Sequence, residues 1–380
     1  MRVPVELWLG APVSSVDTPA LVLDLDAMER NLETMARFAA RHGVRLRPHA
    51  KMHKSAGIAR LQMAAGAVGV CVQKTSEAEA LAAAGIDDLY ISNEVIDPAK
   101  LARVAALAQR VRLAIAVDSV EGVERLAEAM RGRGATIAVL VEVDVGQGRC
   151  GVAPAAAGAL AQRVVSHAPP DGGLVFAGLQ AYHGGGQHLR GVLERESASR
   201  HAASLAVAAR ASITAAGIAC TLVSGAGTGS VGFDAASGVW SEWQVGSYLF
   251  MDRDYADNAA APNAPRFEHA LFVKSQVMSR GVGHAVVDAG HKAHSTDSGP
   301  PRVHARRLDF VSGSDEHGVV RPGPGGSGAD LPGLGDTVWL IPGHCDPTVN
   351  LHDRFVAVRG GLDAGVVEAV WAIEARGCIS

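Results

Sequence analysis

The octapeptide Arg47-Pro48-His49-Ala50-Lys51-Met52-His53-Lys54 sets two lysines and two histidines directly after a short apolar run. A lysine at the end of a strand can be held still and partly dried. Drying disfavours its ammonium form, and a neighbouring cationic group disfavours it further. A neutral lysine amine is what an aldehyde needs to form a Schiff base. The same residues would also serve as a basic surface loop, and the octapeptide alone does not separate the two readings. Far downstream, His344 and Asp346 form an H-x-D pair in a turn between two β-like runs. Residues two apart on an extended segment point the same way, so imidazole and carboxylate can share one divalent cation. Nitrogen plus carboxylate suits Mn²⁺, Mg²⁺ or Zn²⁺, although two ligands alone are a weak signal. A third feature is the run Ser224-Gly225-Ala226-Gly227-Thr228-Gly229-Ser230. Its backbone N–H groups and hydroxyls can wrap an anion; taken alone, a Gly-rich turn is more often only a turn.

These residues need elements to position them. Short β-branched or apolar runs at 44–47, 68–72, 88–92, 112–117, 136–143, 174–180, 220–224 and 242–248 read as strands. Ala-rich stretches with helical spacing lie between them, at 58–65, 76–84, 98–109, 120–131, 155–166 and 194–215. Strand and helix alternating in this way give a parallel α/β sheet. Eight such units close into a (β/α)₈ barrel; an open doubly wound sheet is the alternative. The barrel is favoured by where the polar residues fall. Lys51, Gln73, Asn93, Asp118, Arg149, and Tyr182 with His183 each follow one of the first six strands. The Gly-rich run follows the seventh, and Gly246-Ser247 close the eighth. In a barrel these loops meet on one rim, where active sites form, and phosphate commonly binds after the seventh strand.

Beyond Met251 helical spacing gives way to short alternating runs at 270–278, 285–288, 337–341, 354–359 and 366–373. The stretch 321–335 is rich in Gly and Pro and reads as a surface loop. A smaller all-β domain is expected here. The early strand 20–25 is expected to pair with it, and a helix over 27–42 to lead into the barrel. The expected division is a barrel over 26–250 and a β domain over 251–380 joined by an N-terminal strand in 1–25.

With 380 residues, 48% hydrophobic and 19% charged, the chain suits a large soluble globular protein. A formal net charge of −4 offers no basic face for nucleic acid. No apolar run is long enough to span a bilayer, and residues 1–12 lack the pattern of a secretory signal. Cys71, Cys150, Cys220, Cys345 and Cys378 are odd in number and scattered, which argues against a disulfide framework and a zinc ribbon. The expected location is the cytoplasm.

The fuller set of motifs adds Asp17-Thr18-Pro19-Ala20-Leu21, Gln73-Lys74 with Ser76-Glu77-Ala78, and Ser92-Asn93-Glu94. It continues with Val143-Asp144-Val145-Gly146-Gln147-Gly148-Arg149-Cys150-Gly151, Gln180-Ala181-Tyr182-His183-Gly184 and Gly246-Ser247-Tyr248. It ends on Pro342-Gly343-His344-Cys345-Asp346-Pro347-Thr348. Spread over nearly the whole chain, these resemble the fold type III pyridoxal-phosphate enzymes of the alanine racemase class. Within that class the chain is most similar to the D-threonine aldolase and D-serine dehydratase family.

The resemblance implies pyridoxal phosphate bound as a Schiff base on Lys51. Lys54 is the rival lysine, turned to the opposite face if the segment runs as a strand. It implies Arg149 facing the pyridine nitrogen, where a guanidinium cannot release a proton. It implies Gly227, Thr228, Gly246, Ser247 and Tyr255 around the phosphate, and Gln73 and Tyr182 near the ring. His344 and Asp346 become the metal ligands, with Mn²⁺ favoured. The dehydratase branch resembles His-x-Cys at this pair, a zinc-seeking set, so Asp346 points to the aldolase branch and a harder metal. His49, His53 and His183 are the candidate acids or bases, with His53 and His183 assigned beside Lys51 to the catalytic set. The implied reaction is retro-aldol cleavage of a D-β-hydroxy-α-amino acid such as D-threonine, carried out by a homodimer on a small-molecule substrate. The alternatives are dehydration of D-serine or 3-hydroxy-D-aspartate, aldol cleavage of 3-hydroxy-D-aspartate, and a non-catalytic pyridoxal-phosphate carrier.

Overall fold

The computed structural model describes residues 8–169 and 172–380. The start of the segment read as lacking a secretory signal, residues 1–7, lies outside the described residues. The first strand, β1 (Ala20–Asp24), leads directly into α1 (Leu25–His42). The Asp24 carboxylate accepts from the Ala27 N–H at 3.0 Å and starts the helix. Gly43, at φ 63°, ends it in the left-handed conformation that glycine adopts without strain.

Eight parallel strands follow: β2 (Arg45–Leu46), β3 (Val70–Val72), β4 (Asp88–Ile91), β5 (Arg112–Val117), β6 (Thr136–Glu142), β7 (Gly173–Ala181), β8 (Val223–Gly225) and β9 (Glu242–Trp243). The helices between them are α2 (Ala56–Ala64), α3 (Thr75–Ala83), α4 (Pro98–Ala108), α5 (Val120–Arg133), α6 (Ala157–Val165), α7 (Val192–Ala215) and α8 (Val231–Ser237). The sheet curls round until β2 pairs with β9. It closes where Val68 N–H donates to Leu46 O and Cys71 N–H to Pro48 O, each at 2.8 Å. The sheet is thus a closed parallel barrel rather than an open doubly wound sheet. Strand centres such as Val70, Leu89, Ile115, Val139 and Leu179 are buried, as parallel strands covered by helices must be. The eighth strand is shorter than its apolar run suggests, because 247–249 winds into a single 3₁₀ turn.

Polar side chains fill part of the barrel interior as one hydrogen-bonded chain. Tyr90 donates to Gln180 at 2.9 Å, Gln244 donates to Gln180 at 2.6 Å and to Ser224 at 2.9 Å, and Ser224 donates to Glu242 at 2.8 Å. Each residue of this chain is thus hydrogen-bonded to its neighbour, as buried polar groups usually are. The chain gives the rim a fixed floor.

After α9 (Arg253–Ala256) come β10 (Leu271–Gly281), β11 (His284–Val287), β12 (Arg302–Val303), β13 (Leu308–Gly313), β14 (Gly318–Pro322), β15 (Thr337–Ile341), α10 (Cys345–Val349), β16 (Arg354–Arg359) and β17 (Val366–Ala372). They form a mixed sheet in the order β13-β14-β11-β10-β1-β16-β17, with β15 paired to β10 and β12. β1 lies inside that sheet, antiparallel to β10 and parallel to β16. The turn carrying His344 and Asp346 is helical, not extended: His344 caps α10 and Asp346 lies in its first turn. No helix among the described residues is long and apolar enough to cross a membrane.

Candidate active site

At the rim formed by the C-terminal ends of the barrel strands, a cavity of about 480 Å³ is lined by His49, Lys51, Gln73, Gln147, Arg149, Tyr182, His188, Ser247, Tyr255, His344 and Asp346, among others. Its floor includes Gln180 and Gln244. Lys51 sits on a 3₁₀ turn, Ala50–Met52, that begins as β2 ends. Its Nζ lies 2.5 Å from Asp346 Oδ1. Burial disfavours the Lys51 ammonium, but the Asp346 charge outweighs that and holds its pKa above the ordinary lysine range. The expectation of a lysine made neutral by drying and a cationic neighbour is therefore corrected: the dominant neighbour is an anion. Burial pushes the Asp346 carboxyl up, but Lys51 and His344 hold it far below the usual carboxylate range.

Lys54 points away, but not for the reason strand geometry gives. The 3₁₀ turn puts Lys54 at φ 53°, and its Nζ is buried 2.6 Å from Glu77 Oε1. Glu77 Oε2 also accepts from the N–H groups of Gln73 and Lys74. Lys54 and Glu77 thus tie the lysine loop to the start of α3.

The histidines are corrected too. His53 does not reach the cavity. It is buried beneath the loop, its Nε2 3.2 Å from Gln62 Oε1, and burial lowers its pKa to about 4. His183 lines a separate small recess with Gln187, Ser230 and Asp234. His49 lines the main cavity, but its Nε2 is engaged by Gln73 at 3.0 Å and Ser92 at 3.2 Å. Burial and then the Lys51 charge keep it far below the usual imidazole range, so it is neutral.

The histidine missed by sequence reasoning is His188. It lines the cavity, its Nδ1 is 2.5 Å from Asp254 Oδ2, and its ring lies 5.2 Å from that of Tyr255. The sequence offered one signal: His188 follows the sixth barrel strand, β7, after a run of three glycines, on the same rim as the other candidates.

Arg149 stands over the Tyr182 ring, 5.9 Å from its centroid, and 3.7 Å from Glu142 Oε1. Burial, then the neighbouring Glu94 charge, raises the Glu142 carboxyl to about 9. Glu94, Asp118 and Cys150 bring possible ligand atoms within 4.8 Å of one another on the same rim.

Gly227, Thr228, Gly246, Ser247 and Tyr255 share one recess beside Lys51. Thr228 Oγ1 accepts from the Tyr248 N–H at 3.0 Å. The loop packs so closely on Gln187 that a Cβ on Gly227 would come within 2.4 Å of its side-chain oxygen. This cradle of backbone and hydroxyl groups has the donor chemistry a phosphate needs.

His344 Nε2 is 3.4 Å from Asp346 Oδ2. Burial opposes charge on His344, but Asp346 and then Asp297 raise its pKa to about 9. Carboxylates that attract a proton this strongly also suit a cation. Asp252 joins the two halves of the site: it accepts from the Tyr255 N–H and from the Cys345 N–H, both at 2.9 Å.

A barrel with a cavity-lining lysine just after its first strand, completed by a mixed sheet that borrows β1, has the alanine racemase-like fold. Residues 23–254 match the family described as alanine racemase, N-terminal domain, and residues 270–358 match a putative serine dehydratase domain. The chain belongs to the alanine racemase-like family, in the branch of the D-threonine aldolases and D-serine dehydratases. It is 49% identical to a D-threonine aldolase of Arthrobacter sp over 97% of this chain and 95% of that one. It is 43% identical to a 3-hydroxy-D-aspartate aldolase of Paracoccus denitrificans, covering 97% and 94%. The crystal structure of a D-threonine aldolase from Filomicrobium marinum superposes with a TM-score of 0.93 at 49% identity, covering 98% and 99%.

Proposed function

We propose that this protein is a lyase that cleaves the Cα–Cβ bond of D-threonine and related D-β-hydroxy-α-amino acids to glycine and an aldehyde. It acts as a cytoplasmic homodimer with pyridoxal phosphate and a divalent cation, Mn²⁺ foremost. The observation that carries the reading is the Asp346 carboxylate, paired with His344 and 2.5 Å from Lys51 Nζ. A hard donor pair at that place suits a cation that handles a hydroxyl.

In this reading residues 26–250 hold the cofactor, and residues 251–380 with the N-terminal strand supply the cation pair. Pyridoxal phosphate supplies the carbonyl that captures the substrate amine and a ring that accepts electrons, and the cation supplies positive charge at the β-hydroxyl. Lys51 holds the cofactor through Nζ. Gly227, Thr228, Gly246, Ser247 and Tyr255 would hold its phosphate, Gln73 and Tyr182 would contact its ring, and Arg149 would serve the ring nitrogen without a proton to give it. His344 and Asp346 hold the cation.

His188 takes the β-hydroxyl proton. Asp254 accepts from Nδ1–H and so leaves Nε2 to receive it. The O–H electron pair becomes the second bond of the aldehyde carbonyl as the Cα–Cβ bond breaks. The Cα–Cβ electron pair stays with Cα, which takes up one proton in place of the one removed from the hydroxyl, so D-threonine gives glycine and acetaldehyde with no net change in protons. His188→Asn is expected to lower kcat by about 10²- to 10⁴-fold while cofactor absorbance and Mn²⁺ binding stay intact. An unchanged kcat would remove His188 from this role.

The proposal is tested by following acetaldehyde released from D-threonine with an NADH-coupled alcohol dehydrogenase. Release is expected with Mn²⁺, is lost on chelation, and is absent with L-threonine. Equal release from L-threonine would contradict the assigned configuration.

A further inference from the structure

His344 makes a contact that the cation reading does not use. Its Nδ1 lies 2.7 Å from Asp297 Oδ2. Asp297 belongs to the segment between β11 and β12, 47 residues away in sequence. A carboxylate offers only acceptors, so Nδ1 must be the donor. That leaves Nε2 as the nitrogen beside Asp346.

The carboxylate is itself fixed. Ser295 Oγ donates to Asp297 Oδ1 at 2.8 Å. The Ser295 N–H donates to Thr348 Oγ1 at 3.1 Å, and Thr348 Oγ1 donates to the carbonyl of His344 at 2.8 Å. Arg253 holds the far end of the segment through the carbonyls of Ser298 and Pro300, at 2.6 and 2.8 Å. The segment presses on the histidine-bearing turn so closely that a Cβ on Gly343 would lie 2.3 Å from Gly299 O. Asp297 is thus a side chain with its own supports, presented to one ring nitrogen of one histidine.

We propose that Asp297 is the positioning carboxylate of the cation site, fixing His344 with Nδ1 protonated and aiming Nε2 at the cation shared with Asp346. This rests on the reading of His344 and Asp346 as the cation pair. A carboxylate behind a ligating histidine fixes ring orientation and makes the ligand nitrogen more basic. Its removal therefore weakens the cation rather than the chemistry.

The test measures Mn²⁺ dissociation constants by electron paramagnetic resonance on the full-length, cofactor-loaded protein. Parent, Asp297→Asn, Asp297→Ala and His344→Ala are compared. Asp297→Asn keeps an acceptor but loses the charge, and Asp297→Ala loses both. The expected constants rise by about 10- to 100-fold, more for Ala than for Asn. Cofactor absorbance and Tm should stay at parental values, and saturating Mn²⁺ should restore kcat. Three outcomes overturn the proposal: constants within twofold of the parent, a kcat that saturating Mn²⁺ does not restore, or weaker binding accompanied by a fall in Tm. His344→Ala separates the two readings. If it leaves Mn²⁺ binding unchanged, the cation site itself is misassigned. If it abolishes binding while the Asp297 variants bind as the parent does, only the role of Asp297 fails.

Discussion

Lys51→Ala is expected to abolish both turnover and the absorbance of the lysine–cofactor Schiff base, whereas Lys54→Ala keeps that absorbance. Lys51 lines both the cavity and the adjoining phosphate recess, with its Nζ 2.5 Å from Asp346. The Lys54 Nζ is spent on Glu77 in a buried ion pair. Breaking that pair leaves Glu77 uncompensated near the start of α3, so Lys54→Ala should lower stability instead, by about 3–5 kcal/mol as for other buried pairs. Absorbance spectra and thermal melts of the two variants separate these effects. Schiff-base absorbance surviving in Lys51→Ala and vanishing in Lys54→Ala would reverse the lysine assignment.

Asp346→Cys is expected to reduce Mn²⁺-supported cleavage by more than the ~10- to 100-fold that loss of a supporting residue causes, because a ligand itself changes. A thiolate is softer than a carboxylate, so preference should move toward Zn²⁺. Competition between Mn²⁺ and Zn²⁺ for the two proteins reads the metal effect directly. A variant that binds Mn²⁺ as tightly as the parent, with no gain in Zn²⁺ affinity, would show that Asp346 is not a ligand.

The barrel was legible because each of its strands is a short apolar run followed by a helix with a buried face. Lys51, Gln73, Arg149, Tyr182 and Ser247 could be placed on one rim for the same reason: each follows such a strand, and the fold brings strand ends together. Two kinds of feature were not legible. Side-chain direction in the lysine loop depends on a 3₁₀ turn, and that turn buries His53 and Lys54 although both lie within three residues of Lys51. Partners far apart in sequence carry no local pattern. Asp254 behind His188 and Asp297 behind His344 are ordinary surface-like aspartates until the fold brings them to a ring nitrogen. The His344–Asp346 pair was found, but through period-two spacing that the α10 turn does not obey. The edge strand β13 and its neighbour β14 escaped notice because both are short, and β14 (Gly318–Pro322) runs into the Gly/Pro-rich stretch that reads as a surface loop.

The central claim is that this site breaks a carbon–carbon bond rather than expelling hydroxide. Both reactions begin from the same substrate, and the fate of the nitrogen distinguishes them. The decisive measurement is a product balance on D-threonine, with the cofactor-loaded protein and Mn²⁺. Retro-aldol cleavage predicts glycine and acetaldehyde in equal amounts, with no ammonia. Accumulation of 2-oxobutanoate and ammonia in place of glycine would contradict the account.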